Sequence, residues 1–174
     1  MTSKGLLMVF TGTGKGKTTA ALGLALRAMG HGFRVCVVQF IKGSWKYGEL
    51  DSVRRFSDLM DFHVAGRGFT RKSEDLEEDR TAAREGWRLA SEAIASGKYH
   101  TVILDELTYP IHLKMLDEKE VVDRLMSRPP GLHIVVTGRN APSALLAAAD
   151  LITDMQAVKH PYAKGVKAQK GVEF

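Results

Sequence analysis

Apolar residues along the chain fall into short runs of strand length that alternate with longer stretches of helical spacing. The short runs predict strands over 6–10, 34–41, 61–65, 101–104, 133–137 and 151–155. The stretches between them predict helices over 20–29, 49–59, 73–96, 118–126 and 143–149. Several of the strand runs are apolar at nearly every position, as expected of strands covered on both faces. This alternation predicts a three-layer α/β fold with a mostly parallel central sheet.

A glycine-rich turn follows the first predicted strand. Its glycines are followed at once by Lys17 and Thr18 and by a helix-forming stretch. Strand, glycine loop, lysine, hydroxyl and helix is the order of a phosphate-binding P-loop. Glycines let backbone N–H groups approach a polyphosphate closely, and the helix directs its positive end at the anion. We therefore predict that Lys17 reaches the terminal phosphates and that Thr18 ligates Mg²⁺.

One position departs from the usual P-loop spacing. Thr11 stands where the first glycine is expected, and Gly12 follows one residue later. A surface hairpin rich in glycine is the alternative, but the flanking strand, the flanking helix and the Lys-Thr pair favour the P-loop. The predicted ATP-binding residues in the loop are Gly12, Thr13, Gly14, Lys15, Gly16, Lys17, Thr18 and Thr19.

An acidic pair, Asp105 and Glu106, follows the strand predicted over 101–104. On its own such a pair is a weak signal. Together with a P-loop it is typical of the acidic Walker B site, which lies near Mg²⁺ in nucleotide-binding enzymes.

Composition places the chain among ordinary globular proteins. Its 174 residues, 44% of them hydrophobic and 26% charged, suit one domain over 1–174. The start of the chain does not resemble a signal peptide, and no stretch is long and apolar enough to span a bilayer. Cys36 is the single cysteine, which excludes an internal disulfide. We expect a cytoplasmic protein without a membrane partner.

The net charge of +5 is concentrated near the C-terminus, in Lys159, Lys164, Lys167 and Lys170. A basic segment can bind nucleic acid, or it can serve a polyphosphate or another anionic substrate. Because no aromatic platform is interleaved with these lysines, the anionic substrate is favoured over nucleic acid.

Six stretches match one family together. They are GTGKGKTTAALGLALRAMGHG, VVQFIKGSWKYGE, GFT, LDELTY, VVTGR and VKHPYAKGVKAQKG. These stretches resemble the ATP:corrinoid adenosyltransferases, a homodimeric P-loop family of the RecA-like type. The resemblance covers nearly the whole chain, and LDELTY and GVKAQKG are more specific than the P-loop. Since it includes the basic tail over 156–174, we expect that tail to be functional.

The resemblance implies an activity. In that family the Co(I) centre of cob(I)alamin, or of a cob(I)yrinic acid derivative, attacks C5′ of ATP and tripolyphosphate leaves, in adenosylcobalamin biosynthesis or salvage. It also implies Mg²⁺ or Mn²⁺, a homodimer, and an electron-donating flavoprotein or reductase as partner. By resemblance, Thr18 and Glu106 would hold the metal and Arg27 would reach the phosphates.

The resemblance further implies residues that contact the corrinoid. Phe69 would lie under the corrin ring and exclude a lower axial ligand, which makes cobalt easier to reduce. The family commonly has an aromatic residue two positions further on, where this chain has Arg71. With Trp45, these are the predicted corrinoid-binding residues. Lys17, Glu106 and Phe69 are the predicted catalytic residues.

Two other functions fit part of the sequence. A P-loop ATPase or kinase would use Glu106 to activate water or a hydroxyl against the γ-phosphate. A nucleic-acid-binding switch module would use the basic tail and would bind with steep salt dependence.

Overall fold

The computed structural model describes residues 4–41, 48–66 and 76–172. Its six strands form one sheet in the order β3-β2-β4-β5-β1-β6, and every pair is parallel. The strands are β1 (Leu7–Thr11), β2 (Val35–Gln39), β3 (Met60–Val64), β4 (Thr101–Asp105), β5 (His133–Thr137) and β6 (Leu151–Asp154).

Helices cover both faces of this sheet. They are α1 (Lys17–Gly30), α2 (Gly48–Val53), α3 (Leu76–Ala95), α4 (Thr108–His112), α5 (Glu118–Met126) and α6 (Ser143–Ala148). Within the described ranges, two 3₁₀ turns, Arg54–Phe56 and Pro161–Lys164, add to them. None of the helices in the described ranges is long and apolar enough to cross a membrane.

The core lies in two layers because strand side chains alternate between faces. On β2, Val35 and Val37 pack on the side of α1, whereas Cys36 and Val38 pack on the side of α3. Every residue of β2 and of β4 is buried. This two-sided burial explains the nearly continuous apolar runs and confirms the predicted three-layer α/β fold.

Most predicted bounds agree with the structure within three residues. Helix 118–126 and strand 133–137 match in full. Helix α1 begins at Lys17 because the residues after the glycine loop already form its first turn. The single helix predicted over 49–59 is wrong: α2 ends at Val53, and a 3₁₀ turn follows. Neither piece contains a fully buried residue, so packing against the core does not hold the stretch in one continuous α-helix.

Parallel pairing brings the carboxyl ends of all six strands to one edge of the sheet, where open α/β folds bind ligands. The P-loop follows β1 at this edge, and Asp105 ends β4. Strand β5 lies between β1 and β4, so Thr137 at its end stands between the P-loop and Asp105.

The basic tail lies outside both core layers. Strand β6 at the sheet edge is exposed at all four residues, and almost every residue over 156–172 is exposed. Within the described part of the tail, its four lysines make no ion pair. The tail is held where it begins, since Met155 O accepts a hydrogen bond from Gly14 N at 2.6 Å.

Candidate active site

Lys17 is held inside the P-loop. Its Nζ donates to the carbonyl oxygens of Gly12 at 2.8 Å and Gly14 at 2.7 Å, and the residue is only 6% exposed. Burial lowers the pKa of Lys17, and the carboxylate of Glu106 opposes that shift. A phosphate oxygen entering the loop would meet a largely desolvated ammonium group, which attracts anions more strongly than one in water.

The glycine spacing follows from how the loop packs. Thr11 is the last residue of β1 and pairs with Asp154 of β6, so the loop begins one residue later. Gly12 has a φ of 98°, and a Cβ there would lie 2.1 Å from the Asp154 carboxylate. A Cβ on Gly14 would lie 2.7 Å from the Met155 carbonyl oxygen. The departure from the usual spacing therefore reflects close contact between the loop and the chain that follows β6.

Asp105 is the centre of a buried hydrogen-bond network. It is 1% exposed, and its Oδ1 accepts from Thr18 Oγ1 at 2.8 Å and from Thr137 Oγ1 at 2.7 Å. Its Oδ2 accepts from Gln39 Nε2 at 2.9 Å. Three strand ends and the first turn of α1 thus meet at one carboxylate, which fixes the Thr18 hydroxyl.

Glu106 has a backbone conformation that is rare for a side-chain-bearing residue. Its φ is 59°, in the left-handed region, and its N–H donates to Thr137 Oγ1 at 2.9 Å. Such strain tends to be kept at functional sites. Next to it, Thr108 Oγ1 donates to the Arg139 carbonyl oxygen at 2.6 Å, and a Cβ on Gly138 would lie 2.0 Å from that hydroxyl. These contacts lock the loops after β4 and β5 together.

A cleft of about 780 Å³ opens beside the P-loop. Its polar end contains Lys15, Lys17, Thr18, Glu106 and Arg139. Its other side is apolar, with Leu22, Leu26 and Met29 from α1 facing Val53, Phe56 and Met60. Gly171 and Val172 of the tail also line it. The size suits a small-molecule ligand with one charged and one apolar part.

The structure brings most, but not all, of the predicted residues to this cleft. The run from Gly14 to Thr19 lines it, together with Glu106. Two of the predicted loop residues do not line it: Gly12, and Thr13, which is exposed. Arg27 is exposed in the last turn of α1, ten residues beyond Lys17 and so about 15 Å along the helix. Within a single chain, Arg27 therefore lies too far along α1 to reach the P-loop.

The predicted corrinoid-binding residues Trp45, Phe69 and Arg71 lie outside the described residues. Sequence reasoning also missed residues that the structure places in the site. It noted Asp105 as half of an acidic pair but not as the partner of Thr18, and it omitted Gln39, Thr137 and Arg139. A signal existed for two of these, because Gln39 and Thr137 are polar residues that end otherwise apolar strands.

The fold and the loop define a class. FlaH, a flagellar accessory protein from Methanocaldococcus jannaschii, matches with a TM-score of 0.58 at 13% identity, over 87% of this chain and 71% of that chain. The KaiC-like protein PH0186 from Pyrococcus horikoshii matches with 0.53 at 16% identity, over 90% and 74%. These likenesses show the fold, so the chain is an α/β protein with a parallel central sheet and a glycine loop after its first strand.

Sequence comparison narrows the class to a family. The model described as ATP:corrinoid adenosyltransferase BtuR/CobO/CobP matches residues 3–174. Corrinoid adenosyltransferases from Pseudomonas aeruginosa and Escherichia coli K12 are each 43% identical over 171 residues, covering 98% of this chain and 84% and 86% of theirs. Corrinoid adenosyltransferase CobA of Salmonella typhimurium is 40% identical, covering 98% and 86%. The chain belongs to the ATP:corrinoid adenosyltransferase family, as the resemblance predicted, and is a transferase of cobalamin metabolism.

Proposed function

We propose that the cleft binds ATP and that the chain transfers its 5′-deoxyadenosyl group to the Co(I) centre of a corrinoid, with tripolyphosphate as the second product. The observation that carries this proposal is the desolvated Lys17 ammonium within a glycine loop, beside the Asp105–Thr18 hydrogen bond. This polar end is suited to holding a polyphosphate, in a chain whose family acts on ATP and corrinoids.

The chemistry demands positioning more than a nucleophilic side chain. An electron pair of Co(I) forms the bond to C5′, the C5′–O bond breaks, and its electron pair leaves on the α-phosphate oxygen. Because the corrinoid substrate supplies the nucleophile, the protein has to align the two substrates and stabilise the departing charge. Lys17, Lys15 and the loop amides are proposed to do the second task.

The residues of the site fit a hard divalent cation. Thr18, Asp105 and Glu106 offer only oxygen donors, which Mg²⁺ and Mn²⁺ prefer. The described residues contain no group of three or more His, Cys, Asp or Glu side chains that could hold a metal by themselves. We therefore propose that Thr18 and Glu106 hold the cation jointly with phosphate oxygens, and that Asp105 orients Thr18. The cation would neutralise part of the triphosphate charge.

The corrinoid side of the proposal rests on the family resemblance. Phe69, Arg71 and Trp45 stay predicted corrinoid-binding residues. Exclusion of a lower axial ligand by Phe69 would matter for reduction of Co(II) and not for displacement by Co(I). Phe69→Ala should therefore lose more activity from Co(II)alamin with a weak reductant than from pre-reduced Co(I). Equal losses from both states would contradict this role.

The proposal also covers the partners, the location and the basic tail of the protein. A homodimer and an electron-donating flavoprotein or reductase are expected as partners. A cytoplasmic location is also proposed. The tail lysines are proposed to attract the polyphosphate, because Gly171 and Val172 line the same cleft.

One experiment tests the proposed reaction. The protein is incubated with ATP, Mg²⁺ and chemically reduced cob(I)alamin, and both products are identified by mass spectrometry. Adenosylcobalamin with tripolyphosphate is the expected pair. ADP with phosphate, and no adenosylated corrinoid, would instead indicate an ATPase or kinase.

A further inference from the structure

A second cavity, of about 650 Å³, opens on the α3 side of the sheet, and we call it the α4–α5 cavity. Its floor is formed by the buried apolar residues Ile111, Met115 and Leu116. Its rim is polar and includes the cations Arg84 and Lys114. Among the described residues, it shares no lining side chain with the cleft beside the P-loop. Its size suits a small-molecule ligand with apolar and charged parts.

The charge of Arg84 is not compensated within the described part of the chain. Helix α3 has three arginines at intervals of four residues, and Arg80 and Arg88 each pair with glutamates of the same helix. Arg84, between them, makes no ion pair with a described residue. Its guanidinium is therefore available to an anionic group of a ligand.

Lys114 has a backbone conformation that glycine usually takes. Its φ is 55°, and it follows Leu113 at the end of α4, with its N–H bonded to the Ile111 carbonyl oxygen at 2.9 Å. Glycine is common at this position because it has no Cβ. In the described ranges, the non-glycine residues with positive φ are Glu106, Lys114 and Asn140, and the last two line this cavity. A lysine kept in such a conformation points to a function of its side chain.

The α4–α5 cavity adjoins the regions assigned to both substrates. Arg139 lines the cleft beside the P-loop, and the next residue, Asn140, lines this cavity. Met115 lines it as well as a smaller cavity, to which Gly66 also contributes. Gly66 precedes the predicted corrinoid contact Phe69 by three residues in the sequence. A group attached to a corrinoid bound near the cleft could therefore extend into this cavity.

The corrinoid substrate carries a group of matching chemistry. The nucleotide tail of cobalamin contains one phosphodiester, a ribose and a dimethylbenzimidazole base. The base leaves the cobalt when the metal is Co(I), and it is then a flat, largely apolar ring. The phosphodiester matches Arg84 and Lys114. Asp117 and Glu118 also border the cavity, so its charge suits one phosphodiester better than a polyphosphate.

We propose that the α4–α5 cavity holds the detached nucleotide tail of a complete corrinoid. The phosphodiester lies on Arg84 and Lys114, and the base packs on Met115 and Leu116. This assignment rests on the proposed adenosyl transfer and adds a preference among its substrates. Cobalamin, which has the tail, should bind more tightly than cobinamide, which lacks the phosphodiester and the base. Arg84 and Lys114 determine this specificity and do not touch the reacting atoms.

Two corrinoids that differ in the tail test the assignment. Steady-state kinetics compares chemically reduced cob(I)alamin with cob(I)inamide. Arg84→Gln/Lys114→Gln should raise the KM for cob(I)alamin roughly 5-fold or more, because hydrogen bonds to a charged group are lost. The kcat should stay at the wild-type value, since the tail takes no part in bond formation at cobalt. The KM for cob(I)inamide should not change.

Two further variants separate charge at this cavity from charge in general. Arg88→Gln/Lys98→Gln removes the same two kinds of charge from exposed positions outside the cavity and should leave both KM values unchanged. Arg84→Lys/Lys114→Arg keeps both charges at the cavity and should restore the KM for cob(I)alamin. Thermal unfolding of each variant checks that the fold is retained.

The contact of the base with the floor can be measured directly. In protein labelled at the methionine methyl groups, the Met115 resonance should shift with adenosylcobalamin and not with adenosylcobinamide, because only the first brings an aromatic ring. Met115→Leu identifies the signal. Met126, which is 54% exposed on α5 and does not line the cavity, should not respond to the tail.

Several results would overturn the assignment. They are an equal rise in KM for both corrinoids, an unchanged KM for cob(I)alamin, or a Met115 signal that responds alike to both products. Weaker binding of tripolyphosphate by Arg84→Gln/Lys114→Gln, with both KM values unchanged, would make the cavity a polyphosphate site instead. Absence of wild-type transfer to either corrinoid would refute the proposed reaction itself, and the separate product assay detects that outcome.

Discussion

Asp105 and Glu106 are neighbours in sequence but occupy different surroundings. Both carboxylate oxygens of Asp105 accept hydrogen bonds, from Thr18, Thr137 and Gln39, and the residue is buried. Glu106 turns into the cleft after a left-handed backbone step. Asp105 therefore holds the Thr18 hydroxyl in place, and Glu106 stays the proposed carboxylate ligand of a cation.

Replacing Glu106 tests the proposed metal site. Glu106→Gln keeps the size of the side chain but removes the negative charge that a hard cation prefers. We expect the Mg²⁺ concentration that gives half-maximal activity to rise, with the thermal unfolding midpoint unchanged. Glu118→Gln on α5 makes the same change away from the cleft and serves as control. An unmoved Mg²⁺ midpoint would remove Glu106 from the ligand set.

Replacing Lys17 tests the phosphate site. Lys17→Ala removes the desolvated ammonium that is proposed to stabilise the leaving tripolyphosphate. Loss of one such preorganised contact typically lowers kcat by about 10²-fold or more, and we expect kcat/KM to fall on that scale. Steady-state kinetics with pre-reduced cob(I)alamin measures it. The exposed Lys98→Ala is the control, and wild-type turnover in Lys17→Ala would refute the assignment.

At the level of elements, strands and helices could be predicted because their apolar periodicity reflects burial directly. Strand β2 was recognisable from VCVVQ, since a strand buried on both faces is apolar almost throughout. The split at Val53 could not be predicted, because Val53 and Leu59 both pack on the core and no glycine or proline stands between them to mark the end of α2.

The site was predictable only where its residues are adjacent in sequence. The P-loop is such a segment, so its chemistry could be read locally. The Asp105 network depends on β5 lying between β1 and β4, which sequence order does not reveal. The apolar side of the cleft was missed for another reason. Leu22, Leu26 and Met29 have the same spacing as a core-facing helix surface, and only the structure distinguishes exposed from buried members.

Two histidines lie together at the amino edge of the sheet. His100 stacks on Phe33, and its ring centroid lies 4.8 Å from that of His133. His133 Nδ1 accepts a hydrogen bond from Leu6 N at 3.2 Å. Burial lowers the pKa of both histidines, and the charges of His100 and Arg128 lower that of His133 further.

This pair predicts a pH dependence of stability. Because the pKa of each histidine is lower in the folded state, the unfolded chain takes up protons first as pH falls below about 6.5. The stability is therefore complete above that pH and decreases below it. Urea unfolding should give a lower free energy at pH 5.5 than at pH 7.5. The double variant His100→Gln/His133→Gln should reduce this difference, whereas the exposed His112→Gln should not. An unchanged difference in the double variant would exclude the pair as its source.

The proposed role of the basic tail, attracting the polyphosphate, depends on the positive charge of its lysines. Lys167→Gln/Lys170→Gln removes two charges close to the residues that line the cleft. We expect the affinity for tripolyphosphate to fall roughly 3-fold or more, with a weaker dependence on salt. Lys98→Gln/Lys119→Gln removes two exposed charges elsewhere and should change neither quantity. Equal salt dependence in wild type and tail variant would contradict the proposal, as would loss of RNA binding with unchanged tripolyphosphate affinity.

Over the whole molecule, the two edges of the sheet differ in their residues: those of the proposed phosphate site lie at the carboxyl edge, and stabilising polar contacts lie at the amino edge. The carboxyl edge collects the P-loop, the Asp105 network and the polar end of the cleft. The amino edge holds the histidine pair and Asp150, which accepts from Leu7 N at 2.9 Å, Lys4 Nζ at 2.6 Å and Arg128 Nη2 at 2.9 Å. These contacts lower the pKa of Asp150 to about 2. Substitutions at the amino edge should thus alter stability without altering ATP affinity.

The basic tail begins beside the P-loop and returns to the cleft at Gly171 and Val172. Limited digestion with trypsin can therefore show whether ATP is bound, because bound ATP would protect the tail. Its lysines are exposed, so the peptide bonds after Lys167 and Lys170 are open to cleavage. We expect ATP to slow cleavage at these two bonds, measured by mass spectrometry, and not at Lys98. Cleavage after Lys159 would leave Met155 in the larger fragment, bonded to Gly14. That fragment should keep the structure of the P-loop but lose the tail lysines after Lys159, so we expect its ATP affinity to fall. The result would distinguish the contribution of the P-loop structure from that of the tail charge.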